Sequence, residues 1–118
     1  MPAEDRRRAE RIEVAIPLDV SGDGGSTRGE TINISMNGVY FRFDSYIDPL
    51  TKVRMGLVVP GEVESEDSER KAMFDGVVVR TEPETEDENI SDYRIAVYIT
   101  YMSKDSREIL SDFISRHI

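Results

Sequence analysis

The sequence predicts an all-β domain: a six-stranded antiparallel barrel with a C-terminal α-helix. Three observations predict it. Between Ile12 and Tyr101, six successive segments carry apolar residues at a period of two or as short apolar runs, the mark of strands with one buried face. Their connections are mostly shorter than parallel crossovers require, so neighbouring strands pair antiparallel. Only after Ser103 does the period become helical. Six strands that close on themselves, with the helix over one opening, leave no exposed edge.

The first strand covers residues 12–20, with Ile12, Val14, Ile16, Leu18 and Val20 on one face and Glu13, Ala15, Pro17 and Asp19 on the other. Pro17 cannot donate to a ladder, which points to an edge or a bulge. Ser21–Ser26, rich in glycine, turns the chain. The second strand runs from Arg28 to Ser35 with Ile32 and Ile34 inward, and Met36-Asn37-Gly38 turns it, Asn-Gly being a strong hairpin signal. Val39, Phe41 and Phe43 then face inward on the third strand.

After a loop at 44–51, the fourth strand buries Val53, Met55, Leu57 and Val59 and stops at Pro60-Gly61. Acidic, polar residues 62–71 read as a solvated loop. The fifth strand spans Met73–Thr81, and its Val77-Val78-Val79 run leaves the facing open. A second acidic loop at 83–89 leads to the sixth strand, where Tyr93, Ile95, Val97, Ile99 and Tyr101 alternate with Arg94, Ala96, Tyr98 and Thr100. Ser103 caps the closing helix, Asp105 suits its first turn, and Ile109, Leu110, Phe113 and Ile114 form its apolar stripe. Residues 1–11 carry few apolar side chains and read as a flexible arginine-rich arm ahead of a barrel-and-helix domain at 12–118.

Composition narrows the function. The 118 residues suit one core, and a formal net charge of −9 disfavours wrapping long nucleic acid. The chain has no cysteine and one histidine, His117, so thiol chemistry and a Ser-His-Asp set in the core are out of reach. The carboxylate runs lack calcium-loop spacing. The expectation is a protein that is not an enzyme and carries no metal or resident cofactor. The apolar run Met55–Val59 is too short to cross a bilayer, and the start Arg6-Arg7-Arg8 leads into no apolar stretch. A cytoplasmic location without membrane insertion is expected.

Against this acidic background, Arg6, Arg7, Arg8 and Arg11 gather just before the first strand. A guanidinium binds phosphate bidentately, stacks on flat rings and reads the O6/N7 edge of guanine. The second feature is Asn33-Ile34-Ser35-Met36-Asn37-Gly38. With Ile32 and Ile34 inward, Asn33 and Ser35 project together from the barrel, about 7 Å apart along the strand. Gly38 can take positive φ and leaves room for a ligand ring. Taken singly, the first feature is equally a solvated tail and the second a plain hairpin. Their order across one strand and one turn is the informative part.

These residues resemble the PilZ domain family, whose pattern is RxxxR followed by [DN]xSxxG in a six-stranded barrel with a C-terminal helix. Arg7 and Arg11 match the first motif; Asn33, Ser35 and Gly38 match the second. The resemblance continues through Pro60-Gly61, Val78-Val79-Arg80 and Ala96-Val97-Tyr98-Ile99 to the helix. Asn37 and Ala96 stand where many members have glycine. The resemblance implies a bacterial sensor that binds cyclic di-GMP, with Arg7 and Arg11 on phosphates and guanine and Asn33, Ser35 and Gly38 as the opposing surface. Arg6 would stack on a second, intercalated ligand, and Arg80 is a further candidate. A downstream protein partner would read the change in the arm. The competing readings are a PilZ-like interaction module that binds no nucleotide and a basic-arm nucleic-acid binder.

Overall fold

The computed structural model describes residues 10–22, 25–60 and 70–117. Its strands are β1 (Ile12–Glu13), β2 (Pro17–Gly22), β3 (Gly25–Ile34), β4 (Gly38–Phe43), β5 (Lys52–Val59), β6 (Arg70–Glu82) and β7 (Tyr93–Met102), followed by helix α1 (Lys104–Ser115). All pairings are antiparallel, in the order β1-β3-β2-β5-β6-β7-β4, and a β3–β4 pairing closes the ring. Six long strands therefore make the barrel, and the two-residue β1 continues the line of β2 along the same edge of β3, with Ile12 in the core.

The first predicted strand is broken in two, and Thr31 bridges the break. The chain leaves the ladder at residues 14–16 although its alternation continues, with Ile12, Ile16, Leu18 and Val20 buried. Thr31 is buried opposite the gap. Its hydroxyl donates to the Val14 carbonyl and accepts from the Ile16 amide at 2.9 Å, while its own amide donates to the Ile16 carbonyl at 3.0 Å. These bonds replace the missing ladder and keep the backbone groups satisfied.

Three β-bulges shift facings that strict alternation predicts. On β3, Thr31 pairs with Phe41 and Asn33 with Tyr40, so Ile32 is the extra residue. Thr31, and not Ile32, takes the inward position; Ile32 is half-buried. On β6, Val79 is the extra residue between the pairs Val78–Val97 and Arg80–Ala96. Val78 is buried and Val79 is 54% exposed, which settles the open facing of that run. On β7, Thr100 is extra between Ile99 and Tyr101, so Tyr101 turns outward at 64% exposure and Met102 enters the core in its place. A bulge adds one residue to one strand, which reverses every facing beyond it.

The core joins both ends of the barrel. Leu18, Ile34, Phe41, Met55, Leu57, Val78 and Ile95 fill its middle. Leu110, Phe113 and Ile114 of α1 bury themselves at one side, as the apolar stripe predicts. Ser103 caps the helix by accepting from the Ser106 amide at 3.2 Å. Ser106 is itself buried and accepts from the Met73 amide at 3.0 Å, which ties the helix to β6.

One long side chain braces the outside of the barrel. Lys71 of β6 reaches across β5 to Asp19 of β2, with Nζ 2.7 Å from the carboxylate. It passes over Gly56, where an added Cβ would lie 2.8 Å from the Met73 sulfur and 3.2 Å from the Lys71 stem. The Lys71 hydrogen bond, with Arg28 nearby, holds the Asp19 carboxyl below the usual carboxylate range. Of the acidic segment predicted as a loop at 62–71, residues 62–69 lie outside the described residues, and Arg70 and Lys71 already belong to β6.

Candidate ligand-binding site

Strand β1 sets the geometry of the site. Its pairs Ile12–Ile34 and Glu13–Asn33 lay the start of the described chain against the end of β3. Arg11 stands one residue before that pairing and is exposed, and its Nη1 donates to Asn33 Oδ1 at 2.5 Å. The two sequence features thus meet through one hydrogen bond, between residues 22 positions apart. Arg6 and Arg7 lie outside the described residues.

Asn33 and Ser35 do not project together. Asn33 is half-buried on the outer face, but Ser35 has no exposed surface. Beyond Ile34 the strand has ended, so the period of two no longer governs the facing of Ser35. Its hydroxyl accepts from the amides of Asn37 at 3.1 Å and Gly38 at 3.2 Å, and the Ser35 amide donates to the Gly38 carbonyl at 2.9 Å. The Ser35–Gly38 segment is therefore a four-residue turn that the serine closes from within.

Gly38 also has a different reason from the expected one. It starts β4, its φ is not in the left-handed region, and it is buried. An added Cβ would sit 2.6 Å from the Val97 carbonyl oxygen, so glycine lets β4 approach β7. The Asn37 carbonyl accepts from the Ile99 amide at 2.8 Å, which anchors the turn to the same strand.

A row of outward residues runs from this turn around the barrel. Asn33 pairs with Tyr40, Tyr40 with Ala96, and Ala96 with Arg80. Tyr40 crosses β7 and donates its phenol hydrogen to Glu82 Oε1 at 2.7 Å. The second Glu82 oxygen is 3.7 Å from Arg80 Nε. That bond to Glu82, then burial, raises the Tyr40 phenol above its ordinary value. Tyr40 had no place in the motif pattern. The period of two, which puts it outward and opposite Asn33 across the turn, is the signal that could have found it.

Other surfaces lack this convergence. A shallow groove of about 720 Å³ lies between β2, β5, β6 and β7, where Arg54 pairs with Asp75 at 2.9 Å; it contains none of the motif residues. His117 packs its ring on Phe113 at 4.3 Å, just beyond α1. Among the described residues, no group of His, Asp and Glu could hold a metal ion, and no helix is long and apolar enough to cross a membrane.

The PilZ domain family model matches residues 5–116, and the chain belongs to that family. It is a family of binding and regulatory modules known for cyclic di-GMP. No curated protein matches the chain. Among solved structures, it is similar to the Bacillus subtilis inhibitor of motility (MotI/DgrA), with a TM-score of 0.71 and 18% identity, covering 94% of this chain and 51% of that one. It is also similar to the PilZ domain of CeSA from a cellulose-synthesizing bacterium (TM-score 0.61, 16% identity, covering 93% of this chain and 100% of that one). A third is the Borreliella burgdorferi PlzA protein in complex with c-di-GMP (TM-score 0.57, 9% identity, covering 100% of this chain and 59% of that one). The chain spans about half the length of the first of these. At such identities the likeness is one of fold.

Proposed function

We propose that this domain is a sensor for cyclic di-GMP, which binds between the arginine arm and the barrel face at the β3–β4 turn. The observation that carries the reading is the Arg11–Asn33 hydrogen bond, which brings an exposed guanidinium to the polar end of β3. Arg7 and Arg11 supply charge-assisted contacts to phosphates and guanine, and Arg6 stacks on a second, intercalated ligand. Asn33 is the polar contact on the barrel. Ser35 and Gly38 contribute through the turn they shape. Binding draws residues 1–11 onto this face and changes the surface that a downstream protein partner meets.

Titration calorimetry tests this directly. The protein binds cyclic di-GMP and discriminates against GTP and cyclic GMP. Arg7→Ala or Arg11→Ala removes a charge-assisted contact of roughly 1.5–3 kcal/mol, a loss of about ten- to a hundredfold or more in affinity. Wild-type affinity in both variants contradicts the assignment. No heat of binding in the wild-type protein would instead favour a module that docks a partner without nucleotide.

A further inference from the structure

We propose that Tyr40 is a stacking platform for one base of the cyclic dinucleotide, set in orientation by Glu82. The proposal rests on the site reading above and extends it to a residue outside both motifs. Residues directly opposed on antiparallel strands share a face, with Cβ atoms roughly 5 Å apart. Tyr40 therefore stands beside Asn33 on the outer face, and Arg11 reaches Asn33 from the opposite edge of β3.

Its hydroxyl is tethered. To reach Glu82 on β6, the side chain crosses β7 at the level of Ala96, its register partner. A small residue at 96 leaves room for that crossing. The ring is half-buried and fixed at both ends, so offering it to a base costs little further ordering. A flat base stacks on such a ring, and a guanidinium can cover its other face.

Charge assigns the ends of the site. Arg11 supplies a cation for phosphate at one end, whereas Arg80 at the other already lies 3.7 Å from Glu82, so the neutral base belongs at the Tyr40 end. Ionising the Tyr40 phenol would set a second anion against Glu82, which keeps it protonated as the donor.

The test is calorimetric titration of cyclic di-GMP into the wild-type protein and the variants Tyr40→Phe, Tyr40→Leu and Tyr40→Ala, with affinities taken per folded molecule. Tyr40→Phe loses the Glu82 tether but keeps the ring, and should bind within a few-fold of wild type. Tyr40→Leu and Tyr40→Ala should lose about 5- to 150-fold, the range for one base–aromatic stack. Phe and Leu variants of equal affinity overturn the platform while leaving the site reading intact; failure of the wild type to bind overturns both. If Tyr40→Leu does not fold, the guanine H8 resonance decides the matter. It should move upfield on binding to wild type and less on binding to Tyr40→Phe if the tether orients the ring, and no upfield shift in either protein overturns the platform.

Discussion

Ser35 carries its consequence for stability in one oxygen atom. That oxygen accepts from the Asn37 and Gly38 amides, and the residue is wholly buried. Ser35→Ala leaves the buried Gly38 amide without that partner, at a cost of about 1–3 kcal/mol. Urea denaturation of the unliganded variant should show a lowered midpoint; an unchanged midpoint would mean the turn does not depend on the hydroxyl. Asn33→Ala should behave oppositely, since its side-chain bond among the described residues is to exposed Arg11, and weaken ligand binding with little loss of stability. Ile34→Ala sets the scale for the core, at roughly 2–5 kcal/mol. A side chain two positions along a motif thus holds the turn from within.

At the scale of elements, short polar clasps hold strands where ladder bonds are missing. Thr31→Val removes both side-chain bonds across residues 14–16 and leaves the Ile16 amide unpaired, costing roughly 1–3 kcal/mol. Hydrogen exchange should report faster exchange at Ile16 in that variant, and an unchanged rate would show that the clasp is not needed. The Lys71–Asp19 brace makes a pH prediction. Because the folded protein depresses the Asp19 carboxyl, its contribution to stability is present above the ordinary pKa of 3.8 and is lost as pH falls through the depressed value. Lys71→Met should move the Asp19 value up toward the ordinary one in a carboxyl NMR titration, and no movement would mean Arg28 suffices. The alternation that predicts these strands is legible because burial on one face must repeat every second residue. The bulges at Ile32, Val79 and Thr100 are not legible, because each depends on what the partner strand leaves unpaired. Hence Tyr101 reads as inward in sequence and lies outward in the fold.

The whole molecule is a closed barrel sealed by a helix, with the start of the described chain clasped to it by β1. Closure makes the β3–β4 turn a fixed platform, bonded to β7 and packed against its backbone. The two motifs were legible because their residue types are rare in combination and their separation spans one strand pair. The role of Gly38 was not, since the nearness of Val97 is a property of the closed ring and not of local sequence. Nor was the outward row from Asn33 through Tyr40 and Ala96 to Arg80, which exists only across four strands. In the proposed function cyclic di-GMP sits at the junction of arm and turn, with the rest of the barrel as scaffold. Amide hydrogen exchange with and without saturating cyclic di-GMP tests that placement most directly. Protection should rise from about Arg6 to Glu13 and around the Ser35–Gly38 turn, while β7 beyond its contact with the turn and α1 change little. Equal exchange of the arm in both states would contradict it.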